Sequence, residues 1–153
     1  MRDLKKDGEY FDIGGQWYKG NLHTHSTCSD GSLRPGEVMD VYSSAGYDFL
    51  ALTDHWCESD SGNYGKMLIF SGAELDTGDM MNSPVYHIVG IGMKEKTGFR
   101  PDRTRDPQEV VDAIHMAGGI AILAHPSWSV TDPEKVMKIK GIGEAKAITI
   151  AAA

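Results

Sequence analysis

Four short apolar runs divide the polar stretches of this sequence, at residues 47–52, 67–70, 85–91 and 120–124. Short, predominantly apolar runs of this length are typical of strands that are buried on both faces. The lead-in, residues 1–20, is polar and has Gly14-Gly15 between two strand-like segments, which predicts a hairpin ahead of the main domain.

Two stretches between these runs have apolar residues at helical spacing. The first begins at Pro35 and ends before Gly46, and the second has Asp106 as its N-cap and ends at Gly118. Residues 131–137 predict a further short helix. Because strands that alternate with helices usually lie parallel to one another, the pattern predicts an α/β fold with a largely parallel sheet.

Residues 21–31 contain the first candidate for chemistry, a pair of histidines. His23 and His25 are two positions apart, so in an extended strand their side chains point the same way and can bind one metal ion. The Ser-Asp-Gly turn that follows can bring the carboxylate of Asp30 back over the same strand end. Imidazole combined with carboxylate favours zinc, manganese or iron over calcium.

Metal-binding side chains recur at the ends of the other predicted strands. His55, Glu74 and His125 each follow an apolar run, and His25 lies at the same end of the strand predicted for the histidine pair. The carboxyl ends of parallel strands meet at one edge of a sheet, whereas core packing would require apolar side chains there. The sequence therefore predicts a site for more than one metal ion. His87 lies inside a predicted strand, where it could bind a metal or orient a ligand.

Composition restricts the classes of protein that fit. The chain has 153 residues and a formal charge of −7, which indicates one domain and argues against non-specific nucleic-acid or acidic-membrane binding. No window resembles a signal peptide or a membrane span. Cys28 and Cys57 are too few for a disulfide framework, and both are interpreted as small buried or loop residues. We expect a cytoplasmic protein with reduced thiols.

Several of these motifs together resemble a known family. The matching segments are His23-Thr24-His25 through Ser29-Asp30-Gly31, Leu52-Thr53-Asp54-His55, Gly72-Ala73-Glu74, His87-Ile88-Val89-Gly90 and Ala124-His125-Pro126. In order and spacing they resemble the PHP (polymerase and histidinol phosphatase) family of metal-dependent phosphoesterases, over about residues 18–140. The resemblance implies a distorted seven-stranded β/α barrel that holds two or three divalent metal ions (Zn, Mn or Fe) at its C-terminal rim.

The resemblance also implies roles for individual residues. His23 and His25 would bind a first metal ion, and Glu74 would bridge it to a second ion that His125 also binds. Bridging suits Glu74 because a carboxylate has two oxygens and can hold two cations a few ångströms apart. His115 lies in a predicted helix near its apolar stripe and is interpreted as structural.

Other residues are placed at or near a third metal ion. Asp30 and His55 would be its ligands, and Asp54 would accept hydrogen bonds that fix a ligand or orient water.

Arg100 and Arg103 lie in a polar loop between a strand and a helix. They could contact the substrate phosphate, with Asp54 completing the catalytic group, or they could be solvated loop residues.

The sequence departs from the family near its end. PHP proteins close the site with a late Asp-x-His, and none follows His125. We therefore expect residues 21–140 to form an incomplete PHP-like domain, truncated before its last strands, whose exposed edge a homo-oligomer would cover. Residues 141–150 resemble the Gly-Ile-Gly hairpin of RadC-type helix-hairpin-helix segments. We interpret the atypical tail, residues 141–153, as a junction, truncation or replacement strand rather than as a DNA-binding module.

Two functions are open at this point. The first is hydrolysis of a small phosphorylated molecule or nucleotide through metal-activated water. The alternative is a catalytically weak or inactive PHP-like module that is accessory to a nucleic-acid enzyme. Specificity is expected to lie in loops around Asn63-Tyr64 and residues 98–105.

Overall fold

The computed structural model describes residues 15–79, 81, 84–126, 134 and 138–141. Within these residues the elements are β1 (Gly20–Asn21), α1 (Pro35–Ser44), β2 (Phe49–Ala51), β3 (Gly62–Tyr64), β4 (Met67–Phe70), β5 (Gly72–Thr77), β6 (Tyr86–Ile91), α2 (Pro107–Met116) and β7 (Ile120–Leu123). The chain is therefore a mixed α/β protein. No helix in this part of the chain is long and apolar enough to cross a membrane.

The first sheet has the strand order β1-β2-β4-β3. β2 lies parallel to both β1 and β4, and the connection from β1 to β2 contains α1, as parallel pairing requires. α1 begins with Pro35, and the backbone N–H of Arg34 donates to Glu37 Oε2 at 2.8 Å. Its buried Val38 lies in one apolar cluster with Leu50 and Met67, which fixes the helix over this sheet.

The second sheet has the order β5-β6-β7 and is antiparallel throughout. Its helix, α2, begins where Asp106 accepts a hydrogen bond from the N–H of Gln108 at 2.7 Å. The apolar face of α2 is completely buried and packs in one cluster with β5 and β6. β5 and β6 are buried at every position, so this sheet is covered on both faces.

A bend at Ser71 joins the two sheets. β4 ends at Phe70 and β5 begins at Gly72, so the chain passes from one sheet to the other at a single residue. Ser71 accepts a hydrogen bond from the N–H of Gly92 at 2.9 Å, and its hydroxyl donates to Met93 O at 2.6 Å. The segment after β2 then runs along β5, where the N–H of Glu74 donates to Asp54 O at 3.1 Å.

The prediction of a largely parallel sheet was wrong. β3 and β4 are antiparallel because only Gly65-Lys66 separates them, and Gly65 has a positive φ of 61°. β5 and β6 are antiparallel because only residues 78–85 separate them, whereas a parallel pair would need a longer crossover. The loop that was expected around Asn63-Tyr64 is itself the edge strand β3.

The predicted apolar strands and the two longer helices are present in the structure. The four predicted apolar strands are confirmed as β2, β4, β6 and β7, with small shifts at their ends, and both longer helices are confirmed. His23 and His25 lie beyond the end of β1, and Glu74 lies inside β5 rather than after β4. The lead-in hairpin, the helix over residues 131–137 and the tail from residue 142 onward lie mostly or wholly outside the described residues.

Candidate metal centre

The carboxylate of Glu74 lies at the centre of a group of imidazoles. Its side chain is only 1% exposed, and Oε2 lies 3.0 Å from His25 Nε2. The same oxygen lies 3.6 Å from His23 Nε2 and 3.6 Å from His55 Nε2. Despite these neighbours, Glu74 Oε2 is buried and makes no hydrogen bond within the described residues. A buried, ionised oxygen without a donor is costly, so this geometry is suited to a cation.

The other oxygen of Glu74 faces two further histidines. Oε1 lies 2.6 Å from His87 Nδ1 and 3.3 Å from His125 Nε2. The short distance to His87 is a hydrogen bond. Of the two roles that the sequence left open for His87, this contact supports orientation of the carboxylate.

The turn after His25 brings a second carboxylate to the group. Asp30 Oδ1 lies 2.9 Å from His25 Nδ1, and Asp30 Oδ2 lies 3.9 Å from His55 Nε2. The N–H groups of Ser29 and Gly31 both donate to Ser26 O, at 3.1 and 2.9 Å. This tight turn places Asp30 over the imidazoles, as the Ser-Asp-Gly sequence predicts.

Asp54 supports that turn and contacts none of the histidines in the described hydrogen bonds. It is buried, and its carboxylate accepts from the N–H of Ser26 at 2.6 Å, the hydroxyl of Ser26 at 2.7 Å and the hydroxyl of Ser29 at 2.8 Å. Its position therefore fits the expected role of fixing a ligand, because it holds the turn that carries Asp30.

Thr53 contacts the ring nitrogen of His23 that does not face Glu74. Thr53 Oγ1 is completely buried and lies 2.8 Å from His23 Nδ1. The same oxygen accepts from the N–H of Thr24 at 3.1 Å and lies 3.3 Å from Thr24 O. With Nδ1 occupied by Thr53, His23 presents Nε2 to Glu74. The sequence motif contained Thr53, but only the structure assigns it a contact.

Asp76 is a site residue that the sequence analysis missed. It is 2% exposed, and its Oδ1 accepts from Trp56 Nε1 at 2.7 Å and contacts His55 Nδ1 at 3.2 Å. Its Oδ2 lies 2.5 Å from Arg103 Nε. The available signal was the spacing of Glu74 and Asp76, which places both side chains on one face of a strand. It was missed because the strand was predicted over residues 67–70 only, with no second strand over residues 72–77.

The two arginines expected near a substrate phosphate differ in position. Arg103 pairs with Asp76 at the edge of the histidine group, so part of its charge is already engaged. Arg100 is exposed, and no described contact joins it to the site. His115 is exposed in the last turn of α2 and lies outside the histidine group.

Burial and charge set the protonation of the group. Burial lowers the pKa of His23, which favours the neutral imidazole that metal ligation needs. Burial alone would raise the pKa of Glu74, but the hydrogen bond from His87 and the nearby imidazoles hold it below its ordinary value. The hydrogen bond to Asp76 raises the pKa of His55. Glu74 is therefore ionised at neutral pH.

The side chains fit divalent cations. Within the described residues, potential ligand atoms lie within 4.8 Å of one another in three overlapping groups: His23, His25 and Glu74; His25, Asp30 and His55; and His55, Glu74 and His87. Together with the unpaired Glu74 Oε2, this nitrogen and oxygen donor set matches zinc, manganese or iron. Shared ligands allow neighbouring ions to be held by a single carboxylate.

The histidine group lines an open cavity with a volume of about 440 Å³. Its walls are His25, Asp30, His55, Glu74, His87 and His125. A cavity of this volume is within the usual range for small-molecule sites. Because the cavity is open, a small molecule can reach the partly exposed imidazoles that surround the buried Glu74.

Comparisons with known proteins give no relative in sequence and a clear likeness in structure. No protein-family profile matches the chain, and no curated protein matches it. An amidohydrolase from Chromobacterium violaceum, solved with bound sulfate and no metal, is similar with a TM-score of 0.55 and 18% identity, over 88% of this chain and 72% of that one.

A second solved structure is similar over the same share of this chain. It is a two-domain protein from Bacteroides vulgatus that contains a predicted PHP-like metal-dependent phosphoesterase, with a TM-score of 0.57 and 20% identity over 88% of this chain. The match spans only 42% of the Bacteroides protein. At these identities the likeness establishes the fold, which this chain shares with these two proteins, while the tail likeness to RadC-type segments has no support among them.

Proposed function

We propose that this chain is a metal-dependent hydrolase of phosphoesters that acts on a small phosphorylated molecule or a nucleotide. The observation that carries the proposal is the buried Glu74 Oε2, which makes no hydrogen bond within the described part of the chain although three imidazole nitrogens face it at 3.0 to 3.6 Å. A cation at this point would compensate the buried, ionised oxygen, which the imidazoles approach without completing a hydrogen bond within the described residues.

Two divalent ions suit the geometry, with Glu74 shared between them. His23 and His25 would hold one ion with Glu74 Oε2, while His55 and Asp30 lie on the side where a neighbouring ion would bind. His125 faces Glu74 Oε1 at 3.3 Å and is the remaining candidate ligand. When bound, such ions lower the pKa of coordinated water and neutralise charge on phosphoryl oxygens.

The residues of the chain keep this site in a reactive state before substrate arrives. Thr53 and Asp76 each occupy the Nδ1 of an imidazole, so that the Nε2 atoms of His23 and His55 converge on Glu74. His55 and Glu74 line the open cavity, in which a substrate phosphoryl group would bind. Phosphoester hydrolysis agrees with the motif resemblance and with the structural likeness to the Bacteroides protein, which contains a predicted PHP-like metal-dependent phosphoesterase.

The test is hydrolysis of p-nitrophenyl phosphate and of bis-p-nitrophenyl phosphate by protein that is first stripped with a chelator. We expect activity to return with manganese or zinc and to be lost in Glu74→Gln. His115→Ala is the matched control, since His115 is an exposed histidine outside the site. Activity that survives both the chelator and Glu74→Gln would reject the proposal. Turnover of amides without turnover of phosphoesters would assign a different hydrolase class.

A further inference from the structure

Asp76 is a buried carboxylate beside the histidine group, and it is not among the candidate metal ligands. Asp76 lies two residues after Glu74 in β5, so both carboxylates project from the same face of the strand. In the ladder between β5 and β6, Asp76 is paired with His87. A second buried carboxylate this close to Glu74 requires a reason, since burial opposes ionisation.

The contacts of Asp76 show that it is not itself arranged as a metal ligand. Oδ1 receives Trp56 Nε1 at 2.7 Å and faces His55 Nδ1 at 3.2 Å, and Oδ2 lies 2.5 Å from Arg103 Nε. Both oxygens are therefore occupied by side chains of the chain itself. Among the described residues, none of the groups of clustered ligand atoms includes Asp76.

The contact with His55 fixes which ring nitrogen faces the cavity. An imidazole that donates its Nδ1–H to a carboxylate has its lone pair on Nε2. His55 Nε2 lies 3.6 Å from Glu74 Oε2 and 3.9 Å from Asp30 Oδ2. The lone pair that Asp76 selects is therefore the one directed at the two candidate metal-binding carboxylates.

The residue after His55 is held in an unusual backbone conformation at the same point. Trp56 has a positive φ of 54°, a region that bulky residues rarely adopt and that stores strain. Its backbone N–H donates to Glu74 O at 3.0 Å, while its indole N–H donates to Asp76. Asp76 thus holds both the ring of His55 and the side chain of its strained neighbour.

We infer that Asp76 is a positioning residue that selects the Nδ1–H tautomer of His55 and thereby presents Nε2 for metal binding. Arg103 supplies the countercharge that the buried carboxylate needs, which gives this loop residue a different role from direct contact with a substrate phosphate. The inference rests on the proposed function in one respect, namely that His55 is a metal ligand.

The first experiment measures the tautomer directly, without metal or substrate. Nitrogen-15 NMR of the histidine rings in chelator-treated protein, at alkaline pH where histidine is neutral, distinguishes Nδ1–H from Nε2–H. We expect His55 to be Nδ1–H in the wild type and in Asp60→Ala, because Asp60 is an exposed carboxylate that pairs with Lys96 outside the site. We expect Asp76→Ala to shift His55 toward Nε2–H, and an unchanged tautomer would overturn the inference.

The second experiment measures metal affinity by competition with a chromophoric chelator, using zinc or manganese as the probe. Loss of the Asp76 carboxylate should weaken binding about 10- to 100-fold, as removal of such orienting partners commonly does. Asp76→Asn keeps the shape and one acceptor oxygen, so it should retain the Nδ1–H tautomer but bind metal more weakly than the wild type. If Asp76→Ala does not fold, Asp76→Asn decides, and wild-type affinity in that variant would overturn the inference.

The two readouts separate this inference from the proposed function. Wild-type protein that binds no metal would reject the proposed function, while the tautomer of His55 would still report whether Asp76 orients the ring. Normal metal binding with an unchanged tautomer in Asp76→Ala would reject only the positioning role.

Discussion

His23 Nε2 lies 3.4 Å from His125 Nε2, although 102 positions separate the two residues in the chain. His23 follows β1 and His125 follows β7, which are edge strands of different sheets. The two sheets therefore meet at the histidine group, where both rings also face Glu74. An ion held there would link the ends of these two edge strands directly.

Metal binding should for this reason raise the melting temperature of the whole domain. A ligand at one hundred times its Kd adds about 2.7 kcal/mol to the free energy of unfolding. For a chain of this size that is a rise of roughly 5–10 °C. Calorimetry of chelator-treated protein with and without added zinc or manganese measures it. Equal melting temperatures would show that the ion does not stabilise the fold.

Loss of the Glu74 charge should weaken metal binding more than loss of the exposed His115 does. Glu74→Gln keeps the shape of the side chain but removes the charge that faces five imidazoles. We expect metal affinity to fall more than about tenfold, since even partners outside the ligand set contribute 10- to 100-fold. His115→Ala should bind metal as the wild type does. Equal affinity in the two variants, measured by equilibrium dialysis, would contradict the bridging position of Glu74.

The turn that carries Asp30 should depend on the small size of Gly31. A Cβ atom at Gly31 would lie 2.6 Å from the carbonyl carbon and oxygen of His25, so Gly31→Ala must displace the backbone of a candidate ligand. We expect the free energy of unfolding to fall by about 1–3 kcal/mol, a typical effect of overpacking, together with weaker metal binding.

Gly36 provides the matched control for that substitution. It lies in the first turn of α1, and a Cβ there would meet no atom within 4 Å. Gly36→Ala should leave stability unchanged or raise it slightly, because alanine is favoured over glycine in helices. Urea denaturation of both variants tests the comparison, and similar losses in the two would argue against close packing at Gly31.

Asp54 should matter more for stability than any one of its partners. Its removal in Asp54→Ala leaves the buried N–H and hydroxyl of Ser26 without their acceptor and removes the hydrogen bond from Ser29, at a cost of about 2–4 kcal/mol. Ser29→Ala removes one of these hydrogen bonds and should cost about 0.5–1.5 kcal/mol. Chemical denaturation gives both values. A loss in Asp54→Ala no larger than in Ser29→Ala would show that Asp54 does not hold the turn.

Much of the site was accessible from the sequence because strand ends can be read from apolar runs. His55 and His125 follow buried runs, and the structure places both beside Glu74. Asp76 could not be assigned in the same way. Its partners His55 and Arg103 are distant in sequence, and their contacts depend on the continuation of β5 past Glu74.

The strand directions were harder to predict for a related reason. Alternation of strands and helices suggests parallel pairing, but direction depends on which strands become neighbours. β6 is antiparallel to both of its neighbours, β5 and β7, although α2 lies between β6 and β7. β5 and β7 therefore run in the same direction. The reversed direction of β6 follows from the short connection between β5 and β6, residues 78–85. The apolar pattern alone does not predict it.

The most direct test of the account is the metal content of protein purified without chelator, measured by inductively coupled plasma mass spectrometry alongside Glu74→Gln. The histidine group provides overlapping ligand sets that share Glu74, so we predict more than one equivalent of zinc, manganese or iron per wild-type chain and a clear loss in Glu74→Gln. Less than about half an equivalent in the wild type, or the same content in both proteins, would contradict a metal centre built around Glu74.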